Sequence, residues 1–351
     1  MAMVTKTTVF YVLLATSLGL WASKVQCRKL HELGLSMYEK HEQWMTRFGR
    51  TYPNDTEKSK RFEIFKYNVE YIEAFNKVGN RTYKLGINAF SDLTNDEFKI
   101  RNGGYRVAST SKPPKGGESS WFRYETLDEV PSSVDWRKNG AVNPIKNQYQ
   151  CEACWAFSAV AAVEGITQIK TGELISLSEQ ELVDCDVNGN SHGCNRGQME
   201  DAFQFIIQNG GITSEDDYPY QGTSSYGTCD TNKAASYAAQ ITGYEKVPPN
   251  SESALLNAVA NQPVSVAIDG SGTEFQNYHS GVFTGSCGTD LNHAVTIIGY
   301  GTSEEDGMKY WLVKNSWGIT WGEDGYMRIQ RDVDAAEGLC GIAMDASYPI
   351  A

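Results

Sequence analysis

The placement of eight cysteines limits this chain more than any other feature. Cys27 closes a leader-like segment, and Cys151, Cys154, Cys185, Cys194, Cys229, Cys287 and Cys340 all lie beyond residue 150. In the leader, Lys6 is followed by an apolar run from Val9 to Trp21 and by Val25-Gln26-Cys27, with a small residue at each end of the triplet. The run is too short to span a bilayer and reads as a secretory signal. Residues 1–27 are expected to be removed, and the rest to fold in the secretory pathway, with an extracellular or vacuolar/lysosomal destination and no membrane attachment. In an oxidising compartment the seven remaining cysteines divide naturally into three bridges and one free thiol. The leftover thiol is either an intermolecular link or a reactive group, and the count alone does not say which.

The 351 residues suffice for two modest domains plus processed segments. A net charge of -12 argues against a nucleic-acid partner, because nothing neutralises phosphates. Residues 30–78 read mostly as helix, with Arg61, Phe65, Asn68 and Ile72 on one stripe. A short β-like stretch is expected over 81–90. Residues 102–120, rich in Gly, Ser, Pro and Lys, read as an exposed linker. A boundary is placed near Val130, giving a signal over 1–27, a removable segment over 28–129 and a main domain over 130–351. Beyond it, Cys154 to Lys170 reads as a buried helix stopped at Gly172, with further helices over 178–185 and 199–209. Strand patterns dominate from Ile241 onward, over 263–268, 293–300, 310–314 and 325–329. Helices first and strands later predict an α+β fold of two lobes with a cleft between them.

Cys151 and Cys154 are spaced like a redox pair or half a zinc site, but no second ligand pair has zinc spacing and the surroundings are not those of a redox fold. No metal and no cofactor is expected. The remaining reading makes Cys154 a nucleophile. It opens a helix whose positive end favours a thiolate. Lowering a thiol pKa by ~4 units takes roughly 5 kcal/mol, whereas a helix end supplies ~0.3–2 kcal/mol. A histidine partner is therefore required. His31 and His41 precede the linker, His192 sits in a polar loop and His279 in an expected exposed turn. His293 opens an apolar strand, and Asn315 follows on the next, where its amide can orient the ring.

These residues resemble the papain family of cysteine peptidases over nearly the whole chain. The resemblance rests on Gln148 six residues before Cys154, Cys154-Trp155-Ala156-Phe157-Ser158, Leu291-Asn292-His293-Ala294 and Lys314-Asn315-Ser316-Trp317-Gly318. It implies a papain-like two-lobe α+β fold, with a helical lobe against a β-barrel-like lobe. It implies a Cys154–His293 ion pair, with His293 as acid/base, oriented by Asn315 and shielded by Trp317. Gln148 and the Cys154 backbone N–H would form the oxyanion hole. The implied disulfides are Cys151–Cys194, Cys185–Cys229 and Cys287–Cys340, leaving Cys154 free. Before Val130, Glu57, Arg61, Phe65, Asn68, Ile72 and Asn76, followed by Gly86-Ile87-Asn88-Ala89-Phe90-Ser91-Asp92, resemble the family's propeptide signatures. The family then implies an inhibitory segment that covers the cleft, runs opposite to substrate and is cut away in acid.

Some positions depart from the family pattern. Glu152 and Arg196 stand where glycines usually line the P1 pocket, S1, beside Gly197, and are expected to form a matched pair that restricts P1 to glycine, as in glycine-selective members. The same bulk should weaken cystatin-type inhibitors. Tyr149 replaces a further glycine beside Gln148. By similarity the P2 pocket, S2, has walls of Met199, Ala267, Leu291 and Ala294, with Asn292 beside them, Gln198 at the rim and Asp345 at the base, where it would accept a basic P2 tip. Asn54 and Asn80 begin glycosylation sequons. The expected function is that of a precursor of a secreted or vacuolar cysteine endopeptidase, a monomer acting on proteins and peptides. The alternative is a catalytically weak relative serving as a binding or storage protein.

Overall fold

The computed structural model describes residues 35–105, 122–125, 129–186, 191–222 and 228–351. The leader and Cys27 lie outside them, as does most of the expected linker. The chain divides into two compact units, one up to Asn68 and one from Val69 onward. No described helix is long and apolar enough to cross a membrane.

In the first unit, α1 (Met37–Arg47) begins at a capping box in which Ser36 and Glu39 satisfy each other's backbone amides. It is followed by α2 (Asp55–Lys77), which continues into the second unit. Buried His41 lies among Trp44, Phe62 and Phe65, with ring centroids 5.1–5.8 Å away. Arg61 Nε donates to Glu57 Oε1 at 2.7 Å, so the expected stripe is in part an ion-paired helix face.

The second unit has two hydrophobic cores. The first lies under a mixed sheet built from β1 (Tyr83–Leu85), β2 (Val134–Asp135), β3 (Gly243–Lys246), β4 (Val264–Ile268), β5 (Tyr278–Phe283), β6 (His293–Thr302), β7 (Lys309–Lys314), β8 (Tyr326–Gln330) and β9 (Ala346–Ile350). The strand order is β1-β5-β8-β7-β6-β4-β9-β3, with β2 on β6. This is an open path, so the expected barrel-like lobe is a sheet that does not close on itself. One edge is completed by β1, from the segment expected to be removable, which pairs antiparallel with β5 through Tyr83 and Gly281. A Cβ on Gly281 would stand 2.3 Å from Thr82 O, so the close approach requires glycine there. His279, expected in a turn, is exposed on β5.

One stretch of the chain differs from the sequence expectation because of local capping chemistry. A helix, α3 (Asn95–Asn102), forms where none was expected, begun by a capping box between Thr94 and Glu97. It carries the backbone into Gly103, Gly104 and Tyr105. Asn102 and Tyr105 are buried, so the expected exposed linker does not begin at residue 102.

The second core surrounds α4 (Cys154–Thr171), which is buried on every side over Cys154 to Thr167, with α5 (Glu179–Cys185) and α6 (Met199–Asn209) packed on it. A helix apolar all round belongs inside a protein. It stops at Gly172 in the left-handed conformation, φ 81°. Against the sheet it is stitched by hydrogen bonds: Ser158 Oγ donates to Val295 O at 2.7 Å, and Ser265 Oγ and Thr296 Oγ1 donate to Ser158 O at 2.9 and 3.2 Å. The disulfides are Cys151–Cys194, Cys185–Cys229 and Cys287–Cys340, with Cα separations of 4.5, 4.6 and 5.0 Å. This is the set the resemblance implies.

Between α4 and the chain entering β4 there is no spare volume. A Cβ on Gly165 would lie 2.5 Å from Cγ of Pro263. Helix propensity favours alanine by ~1 kcal/mol, while overpacking costs ~1–3 kcal/mol. Gly165→Ala is therefore expected to lower the melting temperature of the precursor despite the better helix former. An unchanged or higher midpoint in thermal unfolding would show that the Pro263 ring yields.

Candidate active site

Cys154 is the first residue of α4, is fully buried, and is the free cysteine among the described residues. The helix starts there because Ala153 has left helical geometry and carries no side-chain cap. The first-turn amides are thus left for the sulfur. His293 opens β6, whose pairing with β4 sets Ile268 opposite it. Its Nε2 lies 2.8 Å from Asn315 Oδ1. Trp317 stacks on the ring, centroids 4.5 Å apart and planes at 22°, and keeps water from that bond. His293 Nδ1 is buried with no hydrogen-bond partner. The imidazole is therefore fixed at one nitrogen and open at the other.

The loop carrying Gln148 is joined to the loop carrying Asn315. Gln148 N donates to Ser316 O at 2.8 Å, and Ser316 Oγ donates to Gln148 Oε1 at 2.6 Å. Ser316 N also donates to Asn315 Oδ1 at 2.8 Å. Gln148 Nε2 donates to Cys151 O at 3.0 Å. Since the amide carries two N–H groups, one remains for another acceptor. Sequence reasoning passed over Ser316, although it lies inside the Asn315–Trp317 motif. Tyr149 is exposed with φ 53°, the left-handed region, which explains why glycine is usual there. Gln148 keeps its bonds with tyrosine in that place. Beneath these loops lies a buried charge cluster that sequence reasoning also missed. Lys146 Nζ contacts Glu164 and Glu179 at 3.1 and 2.8 Å, and Lys314 Nζ lies 3.9 Å from Glu164. The lysines hold Glu164 below the usual carboxylate range against its burial.

The segment 103–105 crosses this site. Gly104 N and Tyr105 N donate to Asn292 O at 2.9 and 3.1 Å, Gly197 N donates to Gly104 O at 2.9 Å, and the Tyr105–Gly197 bridge is parallel. Tyr105 packs in the same core as Met199, Ala267, Leu291 and Ala294, and its hydroxyl donates to Asp345. Gln198 is buried beside them. Tyr105 and the four expected S2 walls thus belong to one buried core. Asp345 is also ion-paired to Lys246 at 2.7 Å, a partner not anticipated for an acid expected to receive a basic P2 tip. Glu152 N donates to Cys194 O at 3.0 Å, so the two S1 loops adjoin. Arg196 is half-buried. No group of three or more His, Cys, Asp or Glu side chains among the described residues is placed to hold a metal. Asn54 and Asn80 are both exposed.

Burial under this cover decides the charge state. The Cys154 thiol is pushed up to about 12, first by desolvation, with Glu152 adding to it and the amides of Ala294 and Trp155 opposing it. The same desolvation pushes His293 down to about 4, against the Asn315 bond. Under the cover, burial therefore disfavours the charged form of both the thiol and the imidazole.

Residues 130–350 match the model of the papain family cysteine proteases, and residues 41–98 match that of the cathepsin propeptide inhibitor domain. The chain is 55% identical over 320 residues to the senescence-specific cysteine protease SAG39 of Oryza sativa subsp. indica, covering 90% of this chain and 91% of that one. It is 52% identical to vignain of Ricinus communis, covering 97% and 94%. The crystal structure of the proform of Amb a 11, a ragweed pollen cysteine protease, superposes with a TM-score of 0.81 at 43% identity, covering 90% and 94%. Fold, buried thiol and oriented histidine define a thiol hydrolase in its covered form. The chain belongs to the papain family, as a cysteine endopeptidase precursor that carries its own inhibitory propeptide.

The buried histidine makes the covered form sensitive to acid. Its folded pKa, about 4, lies below the ordinary value of 6.5. The stability it contributes is present above pH 6.5 and is lost as pH falls through about 4, an effect of roughly 3 kcal/mol. The precursor's melting temperature should fall more steeply between pH 7 and pH 4 than that of His293→Gln. Parallel curves would mean that the ring takes up its proton without leaving the covered state.

Proposed function

We propose that Cys154, His293, Asn315 and Gln148 carry peptide hydrolysis in this enzyme once the propeptide leaves. The observation that carries the reading is the imidazole itself, with Nε2 held by Asn315 and Nδ1 buried and open. Re-entry of water removes the desolvation that keeps the pair neutral, so the proton moves from Cys154 Sγ to His293 Nδ1. The thiolate attacks the scissile carbonyl carbon. The oxyanion is held by the free Nε2–H of Gln148 and the backbone N–H of Cys154, each such donor being worth ~3–4 kcal/mol. His293 Nδ1–H protonates the leaving amine, giving a thioester. It then takes a proton from water as that water attacks, and the free thiol and carboxylic acid are released.

The mature enzyme in this reading begins near Val130, after loss of 1–27 and then 28–129. Three disulfides fit an oxidising extracellular or vacuolar compartment. Exposed Asn54 and Asn80 are proposed to carry glycans there. The site is assembled from one chain, which supports a monomer. Purified precursor is expected to be inert near neutral pH and to process itself on acidification to an N-terminus near Val130, read by mass spectrometry and peptide cleavage. Cys154→Ser should fold, keep its three bridges and do neither. Full activity of uncut precursor, or self-processing by Cys154→Ser, would refute the assignment.

The S1 site is proposed to accept glycine only. The support is the course of Gly104 between Glu152 and Gly197. A Cβ there would lie 2.3 Å from Glu152 O and 3.0 Å from Glu152 Cβ. The barrier is steric, and a wedge-shaped cystatin-type inhibitor should meet it too. Substrates differing only at P1 should be cleaved far faster after Gly than after Ala, Arg or Lys. Glu152→Gly/Arg196→Gly should recover Arg and Lys. Equal kcat/KM after Gly and Arg in the unmodified enzyme would show that both side chains turn away from the substrate.

A further inference from the structure

Two acids and one lysine meet under the Tyr105 ring. The pairing of β3 with β9 sets Lys246 opposite Ser347, two residues from Asp345. Lys246 Nζ lies 2.7 Å from Asp345 Oδ1 and 3.2 Å from Glu200 Oε1, in the first turn of α6. Both acid side chains are 12% exposed, while the lysine side chain, reaching in from the surface, is 52% exposed. Two carboxylates this close and this buried repel each other, and burial together with Asp345 raises Glu200 above its usual range. Lys246 offsets both. What remains facing the pocket is Asp345 Oδ2, an acceptor whose negative charge is largely balanced from behind. Tyr105 meets it with a phenolic O–H, and burial in this setting keeps that phenol protonated.

We propose that Lys246 and Glu200 are specificity-determining residues of this pocket, and that by balancing Asp345 they make S2 select a P2 side chain with an aromatic ring and a terminal hydroxyl, tyrosine, rather than a basic one. The inference rests on the endopeptidase reading above and on the same pocket serving substrate. An apolar ring gains from the Met199, Ala267, Leu291 and Ala294 walls. The hydroxyl satisfies a carboxylate oxygen that phenylalanine would leave buried and unpaired. An arginine or lysine tip would have to compete with a cation already 2.7 Å from Asp345. Sequence reasoning found Asp345 and assigned it to a basic P2 tip because Lys246, 99 residues earlier, gives no sign of being beside it.

The test is a peptide series with glycine at P1 and Tyr, Phe, Leu or Arg at P2, cleaved by acid-matured enzyme whose active sites are counted by a thiol-reactive epoxide. The unmodified enzyme should prefer Tyr to Phe by about tenfold in kcat/KM, the size expected for a hydrogen bond to a charged acceptor. Lys246→Met should raise the Arg-to-Leu ratio at least about tenfold by uncovering the acids, and Lys246→Arg should keep the original ratio. Asp345→Leu should bring Tyr and Phe to parity. Equal rates for Tyr and Phe in the unmodified enzyme, or an Arg-to-Leu ratio that Lys246→Met leaves alone, would overturn the proposal while labelling and Leu cleavage uphold the endopeptidase reading. Absence of both labelling and cleavage would overturn that reading and this one with it.

Discussion

A buried helix must meet a sheet at one fixed place for this molecule to have a site at all. The contact is made at Ser158, one turn after Cys154, whose hydroxyl and carbonyl bond Val295, Ser265 and Thr296. These bonds lie in a dry interior, where leaving any one unmade would cost about 1–3 kcal/mol. They fix the register of α4 against β4 and β6. Since Cys154 begins α4 and His293 begins β6, one set of contacts sets the thiol and the imidazole together. Asn315, Ser316 and Gln148 then follow, because their loops are hydrogen-bonded to each other at the same end of the sheet.

The segment before Val130 meets the rest of the second unit in different ways along its length. As β1 it completes a sheet edge, where the bonds are between backbones and need little side-chain complementarity. Its Gly103-Gly104 stretch passes where side chains do not fit. Tyr105 then fills an apolar pocket and pairs with its acid. Exclusion of water by this cover disfavours the charged forms of both thiol and imidazole. A buried neutral histidine is also a liability in acid, because the unfolded or uncovered chain binds a proton that the covered one refuses.

Much of this was legible from residues alone. The start of α4 at Cys154 and its end at Gly172 followed from an apolar run and a glycine stop, and α6 over Met199–Asn209 lies where a further helix was expected. The strands from Val264 onward followed from β-branched runs. The helix after Thr94 escapes sequence reasoning because it is only eight residues long and its signal is confined to the Thr94–Glu97 capping box. The barrel-like lobe that the resemblance implies is an open sheet here. Glu152 and Arg196 were expected to pair because their loops are tethered. The loops are adjacent, and the backbone at Gly104 runs between Glu152 and Gly197.

The sequence by itself determined the kind of chemistry: seven cysteines, an odd number, beyond the leader, one histidine at the head of an apolar strand, and motifs whose spacing is local. Such features are set within a few residues, where helix and strand periods govern. Only the tertiary structure decided that Ser158 and Ser316 hold the site in register. It alone put the lysines Lys146 and Lys314 beneath the site with their acids, and Lys246 behind Asp345. These contacts join residues tens to more than a hundred positions apart, and a chain brings them together only through packing that no local pattern encodes. Charge state belongs to the same class. Whether Cys154 is a thiol or a thiolate depends on water, and water is excluded by the fold and its cover, not by the residue itself.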